Sequence, residues 1–417
     1  MPSLINRNAL SYARECLDNF PVVSLQGARQ VGKTTLAHEL TKTGKVSFYN
    51  FDNDQTREAF LADPSFFLGN STGETLVLDE IQRVPGLMLA IKDELEKDRR
   101  PARFLLTGSS NLLRFANKED SLAGRAVDVR LRGLSQGERI GKLDDFVSFL
   151  VSKGSTEANL FTTNFDKESY IDALAKGGYP NLSHLSQRMK NTWIDSYVKR
   201  LLEVDVLALN RSADSARLER MVRLLAASPA SELSKAKMAT QANVPGGTFD
   251  NYLEVLFDLY LVESVAAYGR NLTTRQVNKP KVFLSDTAIA MRLSKSNPAK
   301  LLEPQGSDYL GGQLEAFVAL ELLKQRTWSG EQFELFHFRD RNGAEVDLVI
   351  ELEDGSIFGI EVKASSTYKT EHFRGLKVLK EKAGSQFRGG VVLTTAKNGY
   401  NLTSDLIGLP ISSLWEV

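Results

Sequence analysis

The chain has 417 residues, of which 42% are hydrophobic and 25% charged, an ordinary composition for a soluble globular protein, and its length suggests two to four domains at about 150 residues each. Lysine and arginine together number 52, as do aspartate and glutamate, so no overall positive charge indicates a nucleic-acid partner and any such site must be local. The single cysteine, Cys16, excludes an internal disulfide and a cysteine-based zinc site.

The first predicted elements are a buried strand at residues 21–25 and a helix at residues 35–40, joined by a glycine-rich loop. The loop reads Gly27-Ala28-Arg29-Gln30-Val31-Gly32-Lys33-Thr34, which is the pattern G-x-x-x-x-G-K-[ST]. In the order strand, loop, helix, free backbone N–H groups and the positive helix end point at a phosphate. We therefore predict that Gly27 to Thr34, with Thr35, bind ATP or ADP, that Lys33 reaches the β- and γ-phosphates, and that Thr34 ligates Mg²⁺. A glycine-rich turn with a chance lysine is the alternative.

The second chemical signal is an apolar strand at residues 75–78 that ends in two carboxylates, Asp79 and Glu80. We expect Asp79 to hold Mg²⁺, directly or through water, and Glu80 to polarise the attacking water. The adjacent second carboxylate favours hydrolysis over phosphoryl transfer to a bound acceptor. The sequence therefore predicts an ATPase rather than a nucleotide kinase, against the alternative of a strand ending in solvated acids.

The strand predicted at residues 103–108 is followed by Ser109-Ser110-Asn111. In ATPases with a strand inserted between the P-loop strand and the acidic strand, a polar residue at this place senses the γ-phosphate. Ser109 is the candidate that we assign to the site, with Thr107 and Asn111 left open. Serine and asparagine are also common turn formers, which is the competing interpretation.

Arg125 precedes the strand-like residues 127–131, the last strand predicted for this part of the chain. An arginine here suits a finger that contacts the nucleotide of its own or a neighbouring subunit, and we place Arg125 ahead of Arg130 and Arg132 for this role. A finger acting on a neighbour would imply a homo-oligomer. A surface salt bridge is the simpler alternative.

The chain resembles the AAA-type P-loop ATPases of bacteria and archaea whose C-terminal half carries domain of unknown function 4143. The resemblance covers nearly the whole chain and rests on residues 27–34, 76–80, 106–110, 122–125 and the element Gly177-Gly178-Tyr179-Pro180. The last element is similar to the glycine-x-proline element in the helical lid of related signalling ATPases. We expect a P-loop ATPase core over residues 1–140 and a helical lid over residues 141–210.

Residues 211–285 predict a winged-helix-like domain. Three helices around 218–225, 234–241 and 248–256, with a turn before the third, lead into a strand at 261–265. The expected wing carries four basic residues without an intervening acid, which suits phosphate contacts: Arg270, Arg275, Lys279 and Lys281. The third helix carries Asp250, Glu254 and Asp258, which repel a phosphate backbone. Winged helices also serve as protein-binding scaffolds, so contact with DNA is left open.

Residues 286–417 contain a third chemical signal on two alternating segments, 344–350 and 357–363, joined by the hairpin loop 353–355. If Leu352 faces Ser356, the numbers of paired residues sum to 708 and Asp347 lies opposite Glu361. Cross-strand Cβ atoms are then about 5 Å apart. Lys363 shares this face because side chains alternate along a strand.

Two carboxylates and a lysine on one sheet face suit Mg²⁺-dependent phosphodiester cleavage, in which Asp347 and Glu361 hold the metal and Lys363 positions the nucleophile. The spacing D-x₁₃-E-x-K resembles the PD-(D/E)xK nuclease signature, with Val346 in place of its proline. That resemblance implies a further ligand on an upstream helix, for which Glu315 is the candidate. The alternatives are a polar strand pair and an inert binding platform.

The predicted fold is a multidomain α/β protein: a P-loop ATPase parallel sheet with a helical lid, a winged helix-turn-helix-like middle, and a C-terminal PD-(D/E)xK nuclease-like α/β domain. The leading hypothesis is an ATPase that binds and hydrolyses Mg-ATP and is coupled to a nuclease-like domain contacting DNA or RNA. An ATP-controlled switch or scaffold with an inert nuclease-like domain that binds protein partners is the alternative, and a transcription regulator with an ATPase input is the third. Neutral charge favours the switch, and the intact Asp347, Glu361 and Lys363 favour the nuclease.

We also expect a cytoplasmic protein without a membrane partner. No apolar run approaches the roughly 18 residues of a membrane span. The N-terminal residues lack the apolar core of a signal peptide.

Overall fold

The computed structural model describes residues 4–69, 73–84, 86–109, 122, 124–206, 213–269 and 279–417. The chain divides into two compact units, one formed by Ser3–Leu134 with Asp258–Tyr260 and the other by Ser135–Phe257 with Leu261–Val417. The first unit ends at Leu134. The domain boundaries expected at residues 140, 210 and 285 stay predictions.

The first unit alternates strands and helices, as its sequence pattern predicts. Its strands are β1 Val22–Gln26, β2 Val46–Asn50, β3 Thr75–Asp79, β4 Phe104–Gly108 and β5 Ala126–Arg130. Its helices are α1 Ala9–Asn19, α2 Lys33–Leu40, α3 Asp54–Ala62, α4 Pro64–Gly69 and α5 Leu87–Leu95, with a short 3₁₀ turn at Ile81–Arg83.

Within the described residues, the first unit has a five-stranded parallel sheet in the order β2-β3-β4-β1-β5. Every residue of β1 and β4 is buried, which explains their apolar runs, because a central parallel strand is covered on both faces. The order places β4 between the loop-bearing strand β1 and the acidic strand β3. The inserted strand expected from the sequence is thus confirmed.

The second unit begins with helices and continues into a mixed sheet. Its helices are α6 Gln136–Ile140, α7 Phe146–Ser152, α8 Gly154–Glu157, α9 Lys167–Lys176, α10 Gln187–Arg200, α11 Ser215–Ala227, α12 Lys235–Ala242, α13 Gly246–Asp258, α14 Thr287–Leu293, α15 Pro298–Leu302, α16 Ser307–Gln325, α17 Arg374–Ala383 and α18 Ser413–Glu416. Short 3₁₀ turns lie at Ala158–Leu160, Pro180–Leu182, Pro304–Gly306, Thr370–Phe373 and Gly384–Gln386, and a π-helical turn at Leu201–Asp205. Its strands are β6 Ser231–Glu232, β7 Val262–Ala267, β8 Lys281–Leu284, β9 Phe333–Arg339, β10 Glu345–Leu352, β11 Ile357–Lys363, β12 Phe387–Thr394, β13 Tyr400–Asn401 and β14 Leu406–Pro410.

In the described part of this unit, nine strands form one sheet in the order β13-β14-β12-β11-β10-β9-β7-β8-β6. The helices and the strand predicted for residues 211–285 are present as α11, α12, α13 and β7. However, β7 pairs with β9 as well as with β8, so the expected wing is continuous with the C-terminal sheet. The winged-helix assignment itself stays a prediction, and Arg270 and Arg275 lie outside the described residues.

The helices predicted as a lid contribute to the main core of the second unit. Phe146 of α7 and Tyr170 of α9 are fully buried in one apolar cluster with Phe317 of α16, Ile350 of β10 and Trp415 of α18. Burial of large aromatic side chains is a major source of stability, so this cluster fixes α7 and α9 against the sheet. Residues 141–176 therefore belong structurally with the C-terminal part of the chain.

The glycine-x-proline element forms the stop between helices that the sequence predicts. Gly177 ends α9 with a φ of +61°, a backbone conformation that glycine adopts without strain. Asp286 caps α14 and accepts a 2.6 Å hydrogen bond from the Gly178 N–H, and Arg139 donates to the Gly177 carbonyl. Buried polar contacts thus fix this element inside the second unit.

Candidate functional site

The loop predicted to bind phosphate joins the end of β1 to the start of α2. Gly27 and Gly32 have φ angles of +156° and +101°, where side chains are strained, and a Cβ on Gly27 would collide with the Leu131 carbonyl oxygen. The two glycines of the motif are therefore required by the backbone path. Ala28 and Val31 are buried, Arg29 is half-buried, and Gln30 and Thr35 are exposed.

Lys33 begins α2 and folds back over its own loop. Its side chain is buried, and Nζ donates to the carbonyl oxygens of Gly27 and Ala28 at 2.9 Å each. Burial lowers the pKa of the Lys33 ammonium to about 8, and the charges of Glu80 and Asp79 offset only part of this effect. An anion in the loop would favour the charged form, as a phosphate does.

Three polar side chains surround Asp79 at the carboxyl end of β3. The Thr34 hydroxyl lies 3.1 and 3.2 Å from the two carboxylate oxygens of Asp79, and Thr107 at the end of β4 donates to the same carboxylate. Asn50, which pairs with Asp79 across β2 and β3, donates its side-chain amide at 3.2 Å. The structure thus brings together the two predicted metal ligands, Thr34 and Asp79.

Asn50 was not identified from the sequence. Asn50 is a polar residue at the carboxyl end of a strand. This position indicates a site residue only once β2 is known to lie beside β3. Thr107, one of the candidates left open as a sensor, contacts Asp79 and so orients the acid.

Glu80 and Ser109 lie side by side, each just beyond the end of its strand. Ser109 donates to a Glu80 carboxylate oxygen at 3.4 Å, and the Gln82 amide donates to both Glu80 and the Ser109 hydroxyl. Glu80 has a left-handed backbone (φ +59°), which turns the chain away from β3 directly after Asp79. The predicted base and the predicted sensor thus share one hydrogen-bonded group, while Asn111 lies outside the described residues.

Arg125 lies at the amino ends of the strands, whereas the loop follows their carboxyl ends. Ala126, the next residue, pairs with Val22 at the start of β1, whereas the loop follows Gln26, whose partner is Arg130. Arg125 also forms an ion pair with Glu96. The reading in which Arg125 contacts the nucleotide of its own chain is therefore wrong, because parallel strands put the loop at their carboxyl ends, and a finger acting on a neighbouring chain stays a prediction.

Arg7 is a basic residue beside the loop that the sequence analysis did not single out. Its guanidinium donates to the Val31 carbonyl of the loop at 2.8 Å and to the Arg132 carbonyl after β5 at 2.7 Å. These bonds tie the loop to the segment that follows β5. No motif signals this contact, because Arg7 and Arg132 are separated by most of the first unit.

The donor set around the loop fits Mg-ATP. A hydroxyl and a carboxylate, from Thr34 and Asp79, are oxygen ligands of the kind that Mg²⁺ takes from proteins alongside substrate phosphates. Lys33 and the start of α2 supply positive charge where the phosphates would lie.

At the second predicted site, around Asp347 and Glu361, strands β10 and β11 pair in the register that the sequence predicts. Pairs Leu348–Ile360, Val349–Gly359 and Ile350–Phe358 all sum to 708, and Gly355 takes the positive φ of the hairpin loop. The observed pairs stop one residue short of Asp347 and Glu361, and Lys363 lies within ion-pairing distance of both carboxyls. The predicted register is thus confirmed up to Leu348, and the role of the two acids stays a prediction.

Lys363 and the Val362 N–H complete the contacts on β11. Lys363 Nζ lies 2.6 Å from a Glu361 oxygen and 3.5 Å from an Asp347 oxygen, and the Val362 N–H donates to Asp347 at 2.8 Å. Burial works to raise the pKa of Asp347, but Lys363, Lys281 and this N–H hold it below its ordinary value. Burial and the neighbouring Asp347 charge raise the pKa of Glu361 well above its ordinary value.

Lys281 lies in this cluster and not on an exposed wing, which corrects its sequence assignment as a phosphate contact. Its Nζ lies 2.7 Å from Glu315, 3.0 Å from Glu345 and 3.8 Å from Asp347. Burial, and then the charge of Asp347, raise the pKa of the Glu315 carboxyl to about 8 against the attraction of Lys281. We call Lys281, Glu315, Glu345, Asp347, Glu361 and Lys363 the acid–lysine cluster.

The residues of the acid–lysine cluster do not fit a divalent ion as they are arranged. Among the residues that the structure describes, no group of three or more histidine, cysteine, aspartate or glutamate side chains is placed to hold a metal. The predicted ligands Glu315 and Asp347 instead share the Lys281 ammonium. The expected metal triad of Glu315, Asp347 and Glu361 is therefore not assembled.

Comparison with known protein families agrees with the two-unit fold. A family model described as an AAA domain matches residues 19–140, and domain of unknown function 4143 matches residues 310–414. Domain of unknown function 8612 matches residues 167–300. Together with the parallel sheet and its phosphate loop, the first match defines the first unit as a P-loop ATPase domain of the AAA type.

Two curated relatives share most of the chain. The uncharacterized proteins Mb2031c of Mycobacterium bovis and Rv2008c of Mycobacterium tuberculosis are each 30% identical over 363 residues, which is 87% of this chain and 74% of theirs. The chain belongs to the family of these proteins. In this chain the AAA domain match is followed by the match to domain of unknown function 4143.

Among solved structures, the Walker-type ATPase paby2304 of Pyrococcus abyssi is similar over 70% of this chain and 96% of its own, with 18% identity and a TM-score of 0.42. Separately, across the described residues no helix combines the length and apolar character needed to span a membrane.

Proposed function

We propose that the first unit binds and hydrolyses Mg-ATP. The observation that carries this proposal is the convergence of Lys33, Thr34, Asp79 and Glu80 at the carboxyl ends of β1 and β3, with Thr34 already 3.1 Å from Asp79. A loop that only made a turn would not need a buried lysine or a carboxylate facing its threonine.

Each residue has a chemical task in this proposal. The Lys33 ammonium binds the β- and γ-phosphates, and Thr34 and Asp79 hold the metal, which screens the phosphate charge when bound. Glu80 accepts the proton of the attacking water as general base. Ser109 and Gln82, both bonded to Glu80, orient its carboxylate.

The pKa of Lys33 gives the proposed binding a pH dependence. The pKa of its ammonium is lowered to about 8 without nucleotide, and ATP favours the charged form. Below pH 8 the ammonium is already present, whereas above it binding must take up a proton, so ATP affinity should fall by up to about tenfold per pH unit. Isothermal titration in buffers of different ionisation enthalpy would measure both effects. An affinity that stays constant well above pH 8 would contradict the assignment, and Lys33→Arg, which cannot deprotonate there, serves as control.

We propose further that the protein is an ATP-controlled switch whose second unit works by binding a protein partner. The placement of Lys281 among the acids supports this role over phosphodiester cleavage, because its ammonium lies within ion-pairing distance of both Glu315 and Asp347. Cleavage of DNA or RNA is the competing function, supported by the pairing of Asp347 with Glu361 and Lys363.

One assay separates the two functions of the second unit. Purified wild type and Asp347→Asn are offered single-stranded, duplex and branched DNA and RNA with Mg²⁺ and ATP. The switch proposal predicts no difference between the two proteins in nucleic-acid cleavage. Cleavage by the wild type that Asp347→Asn abolishes would establish the nuclease, and cleavage by both proteins equally would mark a contaminant.

A further inference from the structure

One buried cation of the acid–lysine cluster, Lys281, comes from β8 and lies outside the D-x₁₃-E-x-K segment. Lys281 is the first residue of β8, and its side chain is 3% exposed. The backbone of β8 is paired on both sides, with β7 at Val265 and with β6 at Glu232. The lysine stem is therefore held in the sheet, and the side chain is almost completely shielded from solvent.

The two lysines of the cluster divide its carboxylates between them. Lys281 contacts Glu315, Glu345 and one oxygen of Asp347, while Lys363 contacts Glu361 and the other oxygen of Asp347. Each of the four acids thus has an ammonium within ion-pairing distance. Buried charges are tolerated only when they are paired in this way.

The Lys281 ammonium lies close to the position that a metal held by Glu315 and Asp347 would need. A divalent ion shared by Glu315 and Asp347 must lie between their oxygens, at roughly 2.0–2.6 Å from each. The Lys281 ammonium competes for that space, because it donates to Glu315 at 2.7 Å and lies 3.8 Å from Asp347. An ammonium and a metal ion cannot share it, because their charges repel at contact distance.

We infer that the Lys281 ammonium is a permanent, built-in cation that takes the place of a divalent metal in the acid–lysine cluster, so that the second unit works without bound Mg²⁺. Lysine is a compact point charge with three donors, which suits a position between several carboxylates. The inference deepens the switch proposed for the second unit and is independent of ATP hydrolysis by the first unit.

Divalent-ion binding by the full-length protein without nucleotide tests the inference. Mn²⁺ serves as the probe, with bound and free ion separated by electron paramagnetic resonance. Wild type and Asp347→Asn should bind Mn²⁺ equally, because neither uses the cluster. Lys281→Met should gain one Mn²⁺ site, and the double variant with Asp347→Asn should lose it again. Lys279→Met, an exposed lysine two residues earlier, is the matched control and should resemble wild type.

Two results would overturn the inference. The first is a Mn²⁺ site in the wild type that Asp347→Asn removes, which decides the matter even if Lys281→Met does not fold. The second is a folded Lys281→Met protein, verified by circular dichroism, that gains no site. The nucleic-acid cleavage assay tests the proposed switch separately from metal binding. A second unit that binds no metal could also bind no protein partner, so the two proposals can fail independently.

Discussion

Replacement of Glu80 by glutamine is expected to lower the rate of ATP hydrolysis by about 10²–10⁴-fold, the usual contribution of a positioned general base. Glutamine keeps the size of the side chain and an oxygen that can accept from Ser109 and Gln82, as the carboxylate of Glu80 now does. It cannot take a proton from water. ATP binding should therefore be retained while turnover is lost.

The measurement for Glu80→Gln is steady-state phosphate release together with nucleotide affinity for the same preparation. Glu58→Gln, an exposed acid on α3, is the control for a general effect of removing a carboxylate. Turnover within a factor of a few of wild type would remove Glu80 from the role of base. A parallel loss of ATP affinity would instead assign it to binding.

Replacement of Lys33 by methionine is expected to weaken ATP binding by about 2–5 kcal/mol, roughly 30- to 5,000-fold in Kd. The ammonium is a buried cation that contacts the loop at Gly27 and Ala28, and methionine fills similar space without the charge. Burial lowers the pKa of Lys33 in the nucleotide-free protein, so the fold disfavours its charged form and methionine should not reduce stability.

The control is a comparison of thermal unfolding between Lys33→Met and wild type, both without nucleotide. We expect a midpoint equal to or above that of wild type, which separates lost binding from lost folding. Tight ATP binding by a folded Lys33→Met protein would contradict the phosphate-loop assignment.

Local sequence patterns were sufficient to predict the glycine-rich loop and the strands that carry it. The glycines at 27 and 32 mark backbone angles that other residues avoid, and the apolar runs of β1, β3 and β4 mark buried parallel strands. Each signal lies within a few residues of the feature it predicts. The register of β10 and β11 was also predictable, because a hairpin loop of fixed length determines which residues pair.

Contacts between distant segments could not be predicted in this way. Lys281 reaches Asp347 only because β8, β7, β9 and β10 lie in that order, and the order follows from pairing across many residues. A basic stretch without acids looks like a phosphate-binding surface until the acids of other strands are placed around it. The role of Arg125 at the nucleotide of its own chain was wrongly predicted for the same reason. The end of the strands at which Arg125 lies depends on the register of β5 with β1.

The same limit applies to the helices between residues 141 and 176. Their amphipathic pattern predicts that one face is buried but not which core receives it. Phe146 and Tyr170 pack with Phe317 and Trp415, more than a hundred residues later in the chain. The pattern is compatible with a lid, and only the packing shows which unit contains these helices.

Phosphate release from ATP by the purified full-length protein, compared between wild type and Lys33→Met with Mg²⁺ and with EDTA, tests the central claim most directly. We predict release by the wild type in Mg²⁺, none in EDTA, and none by Lys33→Met in either condition. Equal release by the two proteins, or no release by a wild type that binds ATP, would contradict the claim that the loop at Gly27–Thr34 and the acids at Asp79 and Glu80 form an ATP-hydrolysing site.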